Sequence, residues 1–122
     1  MPSSMSPADP EIARLLATFP EPIAATAAQL VALLLELRPD FVVRARFGWR
    51  SVNFRHPEAG HVCAVFPHPD RVSLIFEHGR LLDSPLLEGE TSRVRFIRFL
   101  PGAELPVDEI SILLAQAIAL KA

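Results

Sequence analysis

Apolar residues recur along this chain first at helical spacing, then at every second position, then at helical spacing again. Asp9-Pro10-Glu11 supplies an N-cap, a proline at the first helical position and an early acid. Ile12, Leu15, Leu16 and Phe19 follow on one helical face. Pro20 and Pro22 interrupt that helix. Ile23, Ala27, Leu30, Leu34 and Leu37 then form the stripe of a second, which stops before Pro39. From Val43 the period becomes two: Val43, Ala45, Phe47 and Trp49 alternate with Arg44, Arg46, Gly48 and Arg50, the pattern of a half-exposed strand. Val52 and Phe54 carry the opposite phase, so a bulge or a tight turn is expected near Arg50 and Ser51.

Two further strands meet around Pro67-His68-Pro69-Asp70. With residues 67 and 71 opposed, Phe66 faces Val72, Ala64 faces Leu74 and Val62 faces Phe76 on one side of the sheet. The other side then pairs Val65 with Ser73, Cys63 with Ile75 and His61 with Glu77. A last strand is expected over Arg93 to Phe99, with Arg93 and Arg95 alternating with Val94 and Phe96 before a phase change at Ile97. Pro101, Gly102 and Pro106 separate it from a terminal helix whose apolar positions are Ile110, Leu113, Leu114 and Ala117. Helices at both ends around a meander of about five strands define an α+β fold with the helices on one sheet face and the other face open.

Composition changes this picture little. At 122 residues, half of them apolar and 21% charged, the chain has the size and hydrophobicity of one globular domain. The expectation is a single domain over residues 1–122, with 1–8 as a flexible lead. That lead has no basic stretch followed by an apolar one, so it does not read as a secretory signal, and a cytoplasmic location is expected. The apolar run over 23–37 is shorter than the ~20 residues a bilayer requires, so no membrane span is expected. Cys63 is the single cysteine, which leaves neither an internal disulfide nor a multi-cysteine zinc site. Charge is unevenly spread: residues 1–37 sum to −3, 38–98 to +3 and 99–122 to −2. The net of −2 does not point to nucleic acid, but the middle of the chain is basic.

The run from Phe47 to Arg55, then Val-Ser-Leu-Ile-Phe over 72–76, His-Gly-Arg-Leu-Leu-Asp-Ser-Pro-Leu-Leu-Glu-Gly-Glu over 78–90 and Arg-Val-Arg-Phe-Ile-Arg-Phe over 93–99 resembles the YdhG-like family, small bacterial proteins of unknown function. The resemblance covers most of the chain after Glu11. It implies a frataxin-like α+β fold, and one branch of the family is described as an intracellular iron chaperone. Frataxin-type iron handling is associated with carboxylates on the first helix and first strand, because hard cations prefer oxygen donors. Between Ile23 and Arg50 this chain has only Glu36 and Asp40, set against Arg38, Arg44, Arg46 and Arg50, a surface expected to repel iron.

The 72–90 stretch reads as architecture. Gly79 and Gly89 permit unusual backbone angles, Asp83-Ser84-Pro85 fits a turn, and Leu81, Leu82, Leu86 and Leu87 can anchor the crossing to the core. Its functional alternative makes His78 with Glu88 or Glu90 an acid–base pair, yet no nucleophile or metal cluster is tied to them. With no Ser-His-Asp order and no phosphate-cradling glycine motif, a non-enzymatic protein is expected. His56, His61 and His78, with Glu77, are expected at one end of the sheet, where strands ~4.8 Å apart would let them share a divalent metal; otherwise they are solvated turn residues. Cys63 reads as a packed residue, or as a thiol activated by neighbouring arginines if it shares their face.

Strand phase sends Arg44, Arg46, Arg50, Arg55, Arg71, Arg93 and Arg95 to the open face and leaves the side of Arg98 undecided. Guanidinium forks bind carboxylates and phosphates. The expected function is therefore a binding module for an acidic protein or an anionic small molecule, with a metal chaperone as the alternative. A second copy of the chain is a further candidate partner. The same arginines would otherwise serve as a solvated face that discourages edge aggregation. The lack of expected stacking aromatics on that face argues against nucleic acid.

Overall fold

The computed structural model describes residues 9–120, so the expectation for the lead over 1–8 lies outside the described residues. The architecture is α+β: helices α1 (Pro10–Leu16) and α2 (Glu21–Leu37), strands β1 (Val42–Arg46), β2 (Ser51–His56), β3 (Gly60–Pro67), β4 (Val72–Phe76) and β5 (Arg95–Phe99), and helix α3 (Val107–Ala119). The strands form one antiparallel sheet in the order β1-β2-β3-β4-β5, a simple meander. No described helix is long and apolar enough to cross a membrane.

Local chemistry explains the helix limits. Asp9 caps α1, its Oδ1 accepting from the Glu11 N–H at 2.9 Å. The α2 helix ends where Pro39 follows Arg38, whose own N–H donates to the Leu34 carbonyl at 2.9 Å. Thr26 on α2 accepts from the Gly102 N–H at 2.9 Å, which fastens the loop before α3 to the helix.

Core packing follows from the sheet register. Val52 and Phe54 on β2, Cys63 and Val65 on β3, Val72, Leu74 and Phe76 on β4, and Ile97 and Phe99 on β5 share one face and are buried. The stripes of α2 (Ile23, Ala27, Leu30, Leu34) and α3 (Ile110, Leu113, Leu114) are buried in the same cluster. Each large side chain removed from water here contributes roughly 1.5–3 kcal/mol. Phe41 and Phe54 close the β1 end in a tilted ring contact, centroids 5.6 Å apart.

Three expectations are corrected. The first hairpin turns earlier than the alternation suggests: β1 ends at Arg46, and Phe47 to Arg50 form the turn, with Arg50 at φ 52° and its N–H donating to the Phe47 carbonyl at 3.2 Å. The phase flip is thus a turn, and Phe47 and Trp49 stand exposed rather than in the core. Second, the β3–β4 register is one residue off the expected one. Pro67 pairs with Val72, Val65 with Leu74 and Cys63 with Phe76, while Ala64 and Phe66 take the open face opposite Ile75 and Ser73. The loop holds one residue more than expected, closed by the His68 N–H donating to the Arg71 carbonyl at 2.8 Å. Third, β5 starts at Arg95 and turns Ile97 and Phe99 inward, which inverts the phase assigned to Arg95.

The 78–94 crossing clasps the sheet as expected. A single 3₁₀ turn over Gly79–Leu81 leads to Leu82, Leu86 and Leu87, which pack on the core, though Leu81 is exposed. Glu88 and Phe96 exchange both backbone hydrogen bonds, at 2.8 and 3.0 Å, along the outer side of β5.

Candidate anion-binding site

Antiparallel pairing sets the open face of the first hairpin. Arg44 lies opposite Asn53, Val42 opposite Arg55 and Arg46 opposite Ser51, so the side chains of β1 and β2 that point away from the helices are largely cationic or polar. A bulge in β3 opposite Phe54 and Arg55 lets His61 rather than Val62 face Arg55. The result is a cleft of about 570 Å³ lined by Val42, Arg44, Arg46, Asn53, Arg55, His56, Pro57 and His61. Arg44, Arg46 and Arg55 are exposed and make no ion pair among the described residues. Asn53 is held in place by donating to Ser51 Oγ at 2.9 Å, while its Oδ1 lies 3.1 Å from His61 Nε2.

The other arginines expected beside them go elsewhere. Arg50 turns toward the helices with the hairpin: its guanidinium sits 4.2 Å from the Phe19 ring centroid and donates to Thr18 Oγ1 at 3.0 Å. Arg71 lies in the β3–β4 turn, bonded to Asp70 at 2.9 Å, and lines a second depression with Glu88, Arg98 and Leu100. Arg93 belongs to the loop before β5. Arg95 pairs with Phe76 on the helix side, and its Nη1 donates to the carbonyls of Thr91 at 2.7 Å and Val94 at 2.8 Å. Arg98, undecided from sequence, takes the open face and forks onto Glu88 at 3.1 and 2.8 Å, which raises its already high pKa. The shared cationic surface is therefore three residues on one hairpin, not seven across the sheet.

Of the four residues expected at a metal, His56 is engaged elsewhere. His56 is nearly buried, and its Nδ1 accepts from the Glu58 and Ala59 N–H groups at 3.1 and 3.2 Å. The proton therefore resides on Nε2, which donates to Asp40 Oδ2 at 2.9 Å. Arg38 converges on the same oxygen at 2.9 Å, which accounts for its 3.5 Å approach to His56. His61 and His78 do meet Glu77, at 3.0 and 3.8 Å. Among the described residues no group of three His, Cys, Asp or Glu side chains has the arrangement needed to hold a metal ion.

Cys63 is fully buried on the helix side of β3, away from the arginines, and burial pushes its thiol pKa far up. The packed reading of Cys63 holds and its activated-thiol alternative does not: one residue of slip carries Cys63 through the sheet. Asn53 and Val42 join the site without carrying a charge that marks them in sequence. The signal was present, since both share the phase of the arginines that flank them.

No family model, no curated protein and no solved structure matches the chain.

Proposed function

We propose that this chain is a non-enzymatic binding module that receives a carboxylate- or phosphate-bearing partner on the β1–β2 hairpin. One observation carries the reading: Arg44, Arg46 and Arg55 line an open cleft with no carboxylate among its lining residues and make no ion pair among the described residues, the nearby Asp40 and Glu77 being engaged by His56 and His61, whereas Arg38, Arg71 and Arg98 are each paired with a carboxylate. Like charges held together on a surface repel one another, and an anion that bridges them relieves that repulsion. Guanidinium forks supply the directional donors such a ligand needs. Asn53 adds a neutral polar group between them. The order of motifs from Phe47 to Phe99 supports a YdhG-like assignment of the module.

Titration with inorganic phosphate and with polyglutamate at low ionic strength, followed by amide chemical shifts, tests the reading. Saturable shifts confined to β1, β2 and the start of β3, weakening steeply with added salt, are expected. Substituting any one of the three arginines by alanine should weaken binding a few-fold, as the modest worth of exposed ion pairs implies. Shifts centred on Arg71 and Arg98 instead, or none at all, would refute it.

A further inference from the structure

The meander leaves two sheet edges, and they are treated differently. The free side of β5 is bridged at one residue, where Glu88 and Phe96 exchange backbone hydrogen bonds. The free side of β1 is not: among the described residues its backbone pairs only with β2. Val42 on this edge is 53% exposed, and Arg44 and Arg46 are exposed beside it. An open strand edge is a template for another extended chain.

The charge on that edge selects the chain. A second copy pairing antiparallel through β1 would bring Arg44 opposite or diagonal to its own counterpart and to Arg46, where like charges destabilise a sheet. An extended acidic segment has the opposite effect. Its alternate side chains lie ~7 Å apart along a strand, the same spacing as Arg44 and Arg46, and on the same sheet face. Arg55 stands behind Val42 on the neighbouring strand, within reach of a third carboxylate.

We infer that the free edge of β1 accepts an extended acidic segment of a partner protein as a sixth strand, with alternate carboxylates laid over Arg44, Arg46 and Arg55. Backbone hydrogen bonds supply part of the affinity, and the arginines select the register and the sign of charge. The inference rests on the anion-binding reading of the same hairpin and adds to it the form of the partner. Trp49, the single tryptophan, is 73% exposed at the tip of the hairpin, next to the end of the proposed strand, and gives a fluorescence signal for binding.

Four probes separate the possibilities: a short peptide alternating glutamate and threonine, the same peptide methylated at every backbone nitrogen, inorganic phosphate, and a thymidine oligonucleotide. The alternating peptide should bind and slow amide hydrogen exchange in β1 by about tenfold or more. Methylation should weaken binding at least about tenfold, because the charges remain while the backbone donors are gone. The Arg44→Glu, Arg46→Glu double variant, altered only at exposed positions, should lose the peptide. If the methylated peptide binds equally well and β1 gains no protection, strand addition is wrong while anion binding stands. If neither peptide nor phosphate binds, both readings fall. Binding of the oligonucleotide in preference to the peptide overturns the acidic-segment inference.

Discussion

His56 Nε2 donates to Asp40 Oδ2 at 2.9 Å, joining the turn after β2 to the chain that leaves α2. The same imidazole accepts two backbone N–H groups of its own turn through Nδ1. One nearly buried ring that lines the arginine cleft is therefore held from two directions. His56→Ala should cost about 1–3 kcal/mol, since it strands two turn donors. His56→Asn, whose oxygen can accept from the turn but cannot span to Asp40, should cost less. Urea denaturation of both variants checks the order.

Asp40 and His68 give the stability two separate acid dependences. Arg38, through its hydrogen bonds, holds the Asp40 carboxyl below the ordinary 3.8. A lowered carboxylate pKa contributes stability that is complete above 3.8 and is lost as pH falls through the lower folded-state value. Burial, reinforced by the charge of Arg71, holds the His68 imidazole below the ordinary 6.5. The folded state thus binds fewer protons than the unfolded one just below 6.5, so stability declines as pH drops from there through the folded value. Denaturation midpoints should fall in both windows; His68→Gln should flatten the upper one and Asp40→Asn the lower.

Gly79 is required by close approach rather than by backbone angle. A Cβ placed there would lie 2.4 Å from Arg95 Cβ and 2.7 Å from the Arg95 nitrogen, so the start of β5 would have to move. Gly79→Ala should destabilise by about 1–3 kcal/mol, the usual range for overpacking. Gly48 has nothing within 4 Å of the same construction, and Gly48→Ala should stay within about 0.5 kcal/mol. Thermal denaturation of the pair distinguishes a clasp from a passive loop.

Cys63 should behave as an inert thiol. Its burial and raised pKa predict labelling at near-neutral pH far slower than a free thiol, accelerating when urea opens the core. Labelling in native buffer at the rate of a small-molecule thiol would contradict the register of β3.

Arg50 combines a contact with a strained backbone. Its left-handed φ of 52° is unusual for a residue with a side chain, yet that side chain covers Phe19 and reaches Thr18. Arg50→Ala should lose the ring contact, about 0.5–1 kcal/mol, while keeping the strain. Arg50→Gly should recover part of that loss by relieving the angle. Comparing the two by urea denaturation isolates the backbone contribution.

Much of the fold could be read before any coordinates. The stripes of Ile23 to Leu37 and Ile110 to Ala117, the Asp9 cap, the proline stops and the alternation on β1 identify helices and strands through interactions within a few residues of one another. The open-face placement of Arg44, Arg46 and Arg55 is legible for the same reason: apolar neighbours on their own strands turn inward. The misassigned residues lie where that local signal vanishes. His-Val-Cys-Ala-Val-Phe on β3 is apolar at nearly every position because a central strand is buried on both faces, so no alternation reveals which side Cys63 takes. Phe47 and Trp49 continue the alternation of β1 into a turn, and Phe96 takes the open face opposite Ile75.

The amino-acid order by itself determined the α+β class, the meander, the helix limits and a basic first hairpin, because each depends on contacts between near neighbours. Only the tertiary structure decided that three arginines rather than seven share a cleft, that His56 serves Asp40 and its own turn, and that one sheet edge is bridged by Glu88 while the other pairs with nothing beyond its own hairpin among the described residues. Those outcomes depend on strand register and loop length, and a shift of a single residue there moves a side chain to the other face of the sheet.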